Sequence, residues 1–165
     1  MIVRPVGRDD AEAAGRVVLA AFGAMPGTHM NGGYAAELAD VEGRAKVSEV
    51  LIALDGAEVV GCVTFAPDLR SPMAEQLEEG ECQIRMMAVA PSHQGRGIGQ
   101  LLLDAVLDRA RARKRRAVFL HSTPVMSAAH ALYQRNGFVR VPERDWLPEP
   151  DLLLIAFRLD LSPPA

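Results

Sequence analysis

A glycine-rich turn at residues 95–99, Gly-Arg-Gly-Ile-Gly, constrains the fold of this chain more than any other feature. An apolar stretch ending at Ala90 precedes the turn, and a long segment with helical periodicity follows it. Glycines leave the backbone N–H groups accessible, and a following helix directs the positive end of its dipole at them. A turn of this kind between a strand and a helix favours the binding of phosphate groups.

The spacing of the glycines excludes two common phosphate-binding motifs. A P-loop carries Lys and Ser or Thr after its last glycine, whereas Gln100 and Leu101 follow Gly99. A Rossmann fingerprint has the spacing G-x-G-x-x-G in the first βα unit of its domain. In this chain the third glycine comes one residue early and the unit lies in the middle of the sequence.

The segments on either side of the turn predict a mixed α/β (α+β) fold. Before the turn we expect a strand over 1–6, a helix capped by Asp9 or Asp10, a loop over 23–33, a weaker helix over 34–41, a hairpin of strands 50–54 and 59–65 turning at Asp55-Gly56, and an irregular, partly helical connection over 66–81. After it we expect a strand over 82–90, a helix over 97–114, a strand over 117–121, a helix over 128–136 stopped by Gly137, strands over 138–141 and 151–161 separated by a loop, and a tail over 162–165. Hairpins mixed with βαβ units indicate a mixed sheet with helices on both faces, and 165 residues suit one domain over 1–165.

The strand before the glycine turn has a break in its alternation. Cys82, Ile84 and Met86 share one face, but the apolar residues Met87 and Val89 fall on the other. Either the end of the strand is buried on both faces, or a bulge shifts its register by one residue.

Charge and composition exclude several classes of protein. The net charge of −3 gives no general attraction to nucleic acid or to an anionic membrane, and no apolar run reaches transmembrane length. Charged residues within the first 25 argue against a secretory signal, so we expect a cytoplasmic protein.

Cys62 and Cys82 lie in apolar stretches without metal-ligand spacing and are predicted to be reduced and buried, with no metal site. The basic run 109–116 lacks aromatic residues, which favours a solvated helix end over a nucleic-acid patch.

Two motifs carry a resemblance to a known family. Gln94-x-x-Gly97-x-Gly99 resembles the acyl-CoA-binding motif of the GCN5-related N-acetyltransferases, the GNAT superfamily. Downstream, Ala129-x-x-Leu132-Tyr133-x-x-x-Gly137-Phe138 is similar to a second helix of that superfamily. The resemblance implies a mostly antiparallel sheet of six to seven strands, splayed in the middle.

The resemblance also implies an activity. The chain would transfer an acetyl group from acetyl-CoA to a small-molecule or peptide amine by direct attack in a ternary complex. Neither nucleic acid nor membrane would be a partner, and the apolar content allows a homodimer. The alternative is a non-catalytic acyl-CoA-binding module.

Candidate site residues follow from the same resemblance. The donor-binding set comprises the backbones of Met87 and Val89 for the pantetheine arm and, for the pyrophosphate, Gln94, Gly95, Arg96, Gly97, Ile98, Gly99 and Gln100. Tyr133 matches the tyrosine that protonates the leaving thiolate, because a phenol with a pKa of about 10 keeps its proton at neutral pH. Glu81, with Glu79 just before it, is the candidate general base. Met126 stands where the family often has an asparagine that contacts the cofactor, and Ser127 is its nearest substitute.

The remaining polar residues predict less. The histidines are unclustered, with His29 and His93 in loops, His121 at a strand end and His130 one turn before Tyr133. Residues 23–41, residues 67–81 and the loop around Trp146 are expected to select the acceptor.

Overall fold

The computed structural model describes residues 1–27 and 32–161. The predictions for His29 and for the tail 162–165 lie outside the described residues. The strands are β1 (Ile2–Pro5), β2 (Glu49–Asp55), β3 (Glu58–Ala66), β4 (Glu81–Val89), β5 (Ala117–Ser122), β6 (Val139–Arg140), β7 (Trp146–Glu149) and β8 (Leu152–Asp160). The helices are α1 (Ala11–Gly23), α2 (Gly32–Ala39), α3 (Val41–Val47), α4 (Ile98–Ala112) and α5 (Ser127–Arg135).

The strands form a mixed sheet in the order β1-β2-β3-β4-β5-β8-β6, with β7 paired to β8. The β4–β5 pair is parallel and the other pairs are antiparallel, as predicted. The described sheet has one strand more than expected, because β7 forms within the predicted loop after β6. Helix α3 was also not predicted, and residues 67–80 contain turns and no helix, so the expectation of partial helicity there was wrong.

Helices cover both faces of the sheet. On β2, Leu51 and Ala53 face the core formed with α4 and α5. Val50 and Ile52 face the opposite core, formed with α1, α2 and α3. This alternation follows from the two-residue period of a strand, and it gives each sheet face its own apolar layer.

The β4 strand contains a bulge at the point where its sequence alternation breaks. Arg85 pairs with Thr64 and Ala88 pairs with Cys62, so Met86 and Met87 together lie opposite the single residue Val63. Met86 has a φ of +51°, which is uncommon for a residue with a side chain. The bulge was one of the two predicted explanations. Met87 and Val89 pack on the same core as Cys82 and Ile84, whereas Met86 packs on the opposite core, so the expectation that Met86 shares their face was wrong.

Beyond its first three residues, β4 diverges from β5. The two strands pair only between Glu81–Gln83 and Ala117–Phe119. The Ala90 N–H donates to the Val60 carbonyl oxygen at 2.8 Å. Because successive strand residues alternate in direction, the N–H and C=O groups of Val89, and those of Met87, point away from β3 into the opening between β4 and β5.

Two further features complete the fold. Asp10 caps the 3₁₀ turn over 8–10 through the Gly7 N–H, and its side chain does not bond to the start of α1, where a cap was expected. Among the described residues, no helix has the length and apolar content needed to span a membrane.

Candidate active site

The glycine turn lies at the N-terminus of α4, beside the opening between β4 and β5. Gly95 and Gly97 both have a φ of +80°, a left-handed conformation that favours glycine. A Cβ atom at either position would meet nothing within 4 Å, so this backbone faces open space. The side chain of Ile98 is buried and anchors the turn in the core. These features fit the pyrophosphate of an acyl-CoA, held by backbone N–H groups at a helix N-terminus.

Gly99 has a different role from the other two glycines. It lies inside α4, and a Cβ there would be 3.2 Å from Cδ2 of Leu132 on α5. We expected all three glycines to let phosphate approach the backbone. At Gly99 the lack of a side chain also lets α4 pack closely on α5, and its part in phosphate binding stays a prediction.

The side chains around the turn have protein partners. Arg96 is more than half exposed, and its Nη1 lies 3.9 Å from Oδ2 of Asp55. The Nε2 atom of His93 lies 3.7 Å from Asp55 and 3.8 Å from Glu58. The β2–β3 hairpin therefore contacts the approach to the turn, and Gln94 is exposed beside it.

Gln100 connects the two motifs. Its side-chain amide exchanges two hydrogen bonds with Asn136, at 2.8 and 2.9 Å, and donates a third to Asp104. The Gln100 side-chain amide is therefore engaged within the protein, and the predicted place of Gln100 at the edge of the pyrophosphate would depend on its backbone.

Tyr133 lies on α5 in the core between α4 and the sheet. Its ring packs against Phe138 and Phe157, with centroids 5.5 and 6.0 Å away. Burial raises the pKa of the Tyr133 phenol well above its usual range. No hydrogen bond to its hydroxyl comes from the described residues, so the group keeps its proton and has it available to donate.

Glu81 is fully buried at the start of β4, and two arginines bind its carboxylate. Arg144 donates to both oxygens, at 2.7 and 2.9 Å, and Nε of Arg158 donates at 2.8 Å. The Glu78 N–H adds a fourth bond. Burial alone would raise the pKa of Glu81, but the bonds from Arg144, Glu78 and Arg158 outweigh it and hold the pKa below its usual value. These contacts argue against Glu81 as the general base. Glu79 is exposed in the loop before it.

A polar cluster that sequence reasoning missed lies next to the bulge. The side-chain amide of Gln83 forms two hydrogen bonds with the backbone of Glu75. Its oxygen accepts from the Glu75 N–H at 2.7 Å, and its nitrogen donates to the Glu75 carbonyl at 3.1 Å. Arg85 forms an ion pair with the Glu75 carboxylate. Thr64, opposite Arg85 on β3, is fully buried, and its hydroxyl has no hydrogen-bond partner in the described chain. Gln83 and Arg85 alternate with Cys82 and Ile84 along the strand, so the sequence alone places them on one face, but it does not reveal their partner Glu75.

Two other sequence features find structural partners. The Nε2 atom of His130 lies 3.0 Å from Oγ of Ser122, and the His130 ring packs on Phe157. Ser122 also contacts Sδ of Met126 at 3.4 Å, so Met126, the residue that departs from the family pattern, packs against β5.

In the basic run 109–116, Arg113 binds Glu49 at 2.6 Å, which supports the interpretation of this run as a helix end.

Comparison with known proteins decides the family. Residues 22–138 match the model of the acetyltransferase (GNAT) family. The chain belongs to this family. It is 33% identical over 101 residues to an IAA acetyltransferase of Azospirillum brasilense, an alignment covering 61% of each chain. It is 43% identical over 61 residues to the N-alpha-acetyltransferase RimI of Mycobacterium tuberculosis, covering 37% of each. The chain thus spans less than two thirds of the length of either curated relative.

A solved structure of a GNAT member has the same fold. This chain superposes on yncA, a putative acetyltransferase from Salmonella typhimurium solved with its cofactor acetyl-CoA, with a TM-score of 0.72 and 20% identity. The superposition covers 99% of this chain and 95% of the other. The predicted GNAT fold is therefore confirmed, and with it the splayed, mostly antiparallel sheet.

Proposed function

We propose that this GNAT member is an acetyl-CoA-dependent N-acetyltransferase that acts as a single domain over 1–165. The observation that carries the proposal is that two binding features lie next to each other. The open backbone of Gly95 and Gly97 lies at the N-terminus of α4, and the free amides of Met87 and Val89 line the adjacent opening of the sheet. One site holds an anion, and the other holds an extended chain of amides.

The donor would bind with its pyrophosphate on the N–H groups of the turn and its pantetheine arm along β4. Pantetheine carries amide groups, which pair with the unpaired N–H and C=O groups of a strand. The thioester then reaches the bulge at Met86, where the N–H of Met87 or Val89 can donate to the carbonyl oxygen as negative charge develops on it.

Tyr133 supplies the proton for the leaving thiolate. It belongs to the α4–α5 face of the sheet, the same side as the glycine turn. Its raised pKa keeps the phenol protonated throughout the neutral range. A buried, protonated phenol beside the thioester sulfur is the acid that this reaction requires.

The acceptor would approach from the opposite face. Around the start of β4 that face carries polar side chains, with Gln83, Arg85 and Glu75 in one cluster. The Glu75 carboxylate is partly exposed, but Arg85 already pairs with it, so this cluster offers hydrogen-bonding groups and little net charge. The acceptor class that the family implies is an amine, on a small molecule or on a peptide.

Thiol release from acetyl-CoA in the presence of an amine panel tests the proposal. The panel contains amino acids, their amides, polyamines and short peptides with free N-termini, and mass spectrometry identifies acetylated products. Calorimetry measures acetyl-CoA binding separately. Binding without turnover of any amine would instead support the non-catalytic acyl-CoA-binding module, and absence of binding would refute both.

A further inference from the structure

We propose that His121 is the general base, and that its Nδ1 atom accepts the proton lost by the acceptor amine. This inference rests on the proposed N-acetyltransferase function and assigns the one role in it that Glu81 cannot fill.

The hydrogen bond of His121 fixes its tautomer. Nε2 lies 2.9 Å from the backbone carbonyl oxygen of Arg144. A carbonyl oxygen can only accept, so Nε2 carries the hydrogen and a neutral ring presents a lone pair at Nδ1. Nδ1 is buried, and within residues 1–27 and 32–161 it has no hydrogen-bond partner. A buried nitrogen with a free lone pair costs stability, and at an active site it is available to take a proton.

The fold places His121 on the acceptor side of the opening. It lies on β5, two residues beyond the last pair with β4, which joins Gln83 to Phe119. Val118 and Leu120 face the α4–α5 core, so strand alternation directs His121 to the opposite face. Tyr133 belongs to the α4–α5 core. Acid and base thus flank the proposed thioester position from opposite faces of the sheet.

The surroundings of His121 favour the neutral ring. Its ring packs edge-on to Phe119 and near Trp146, with centroids 4.8 and 5.8 Å away. Burial lowers the pKa of His121, and the Arg144 side chain acts in the same direction. The Arg144 carbonyl and the carboxylates of Glu75 and Asp145 oppose that shift without reversing it. The ring is therefore neutral at neutral pH and able to act as a base.

Apart from Glu79, which is exposed, the other candidate bases have partners. All four hydrogen bonds of Glu81 hold its carboxylate in place, and Glu75 is bound by Arg85. His130 bonds to Ser122, and His93 lies near the hairpin carboxylates beside the glycine turn.

The step balances without a further reactant. The amine nitrogen attacks the thioester carbonyl carbon, the C–N bond forms and the C–S bond breaks with its electron pair going to sulfur. The proton from nitrogen goes to Nδ1 of His121, and the Tyr133 proton goes to sulfur. The products are the amide and CoA thiol, and exchange with solvent returns both side chains to their starting states.

The variant His121→Gln tests the assignment. Glutamine can place its Nε2 where the imidazole Nε2 lies and keep the bond to the Arg144 carbonyl, but it has no lone pair at the Nδ1 position. With an amine identified in the panel, we expect kcat to fall by about 10²-fold or more. Acetyl-CoA affinity and Tm should stay close to those of the wild type, and added imidazole should restore part of the rate. His130→Gln is the matched control, with kcat expected to change by less than about threefold, because loss of a partly exposed contact has a small effect.

The pH profile supplies a readout that a structural role would not move. In the wild type, kcat/KM for the amine should rise through the lowered pKa of His121, and this limb should vanish in His121→Gln while the limb from the amine itself remains. Full activity of a folded His121→Gln protein, or an unchanged profile, would overturn the inference and leave the proposed function standing. Absence of turnover by the wild type with every amine would overturn both.

Discussion

Gly99 of the glycine turn and Leu132 of the second motif are in direct contact, since a Cβ on Gly99 would lie 3.2 Å from Leu132 Cδ2. The two sequence motifs are therefore parts of one packed unit, which Gln100 and Asn136 reinforce with reciprocal hydrogen bonds. The residue after Leu132 is Tyr133, so the donor-binding turn and the proposed acid share a helix interface.

This contact predicts the effect of Gly99→Val. A branched side chain would be forced against Leu132 and should cost about 1–3 kcal/mol of stability, as overpacking does. Chemical denaturation measures the change. A double-mutant cycle with Leu132→Ala provides the control, because the smaller residue removes the clash. The double variant should be more stable than the sum of the two single effects predicts, and strict additivity would contradict the proposed contact.

Gly97→Ala should weaken acetyl-CoA binding more than it weakens the fold. The methyl group has open space in the protein, so the stability cost is the strain of a positive φ, about 1–2 kcal/mol. In the complex the same methyl group would occupy the position of the pyrophosphate, and we expect Kd to rise at least tenfold by calorimetry. Gly27 has a similar φ of +76° and equally open surroundings, so Gly27→Ala should lose similar stability with an unchanged Kd. Equal Kd effects in both variants would remove the turn from the donor site.

Tyr133→Phe should reduce kcat by about 10²-fold, because the thiolate would leave without a general acid. Phenylalanine keeps the ring packing against Phe138 and Phe157, so Tm and acetyl-CoA affinity should stay the same. Because burial raises the pKa of Tyr133, the wild-type rate should show no loss from its ionisation up to its usual pKa of about 10. Steady-state kinetics between pH 6 and about 10 measure both effects. An undiminished kcat in the variant would reject Tyr133 as the acid.

Glu81→Gln should be strongly destabilising, because it leaves the Arg144 and Arg158 guanidinium groups beside a neutral partner. We expect a loss of about 3 kcal/mol, the lower end for breaking a buried ion pair, since Arg158 is partly exposed. Glu79→Gln, at an exposed position in the loop just before β4, is the matched control and should change stability little.

The ion pairs of Glu81 with Arg144 and Arg158 also predict that stability depends on acid pH. The folded-state pKa of Glu81 is lowered, so the stabilisation is fully present above the unfolded value of about 4.3 and is lost as pH falls through the folded pKa. Denaturant titrations at a series of acidic pH values should show this decline in the wild type and a shallower one in Glu81→Gln. Parallel declines would show that other carboxylates cause the acid sensitivity.

Local patterns predicted the parts of this fold that depend on local physics. The bulge at Met86 could be found because a change in side-chain parity is visible along one strand. Gly137 could be assigned as a helix stop because its role depends on its own φ, which is +93°. The β7 strand was missed although it forms a local hairpin with β8, because its sequence is short, partly polar and contains Pro148, which disfavours a strand.

The proposed site was harder to predict where function depends on distant partners. Glu81 was a reasonable base from its position alone, but the two arginines that bind it come from residues more than 60 positions later in the chain. His121 showed no distinguishing pattern, because its tautomer is set by a carbonyl that lies 23 residues away. A lone pair left free by the fold cannot be read from residue type.

The divergence of β4 from β5 gives this sheet an edge inside the molecule. The amides of Met87 and Val89 should exchange with solvent deuterium faster than those of the paired residues around them. A bound pantetheine arm would act as the missing strand and protect them. Since such a ligand binds the folded chain and not the unfolded one, the melting temperature should climb with donor concentration, and the cell's supply of acyl-CoA would set how stable this protein is.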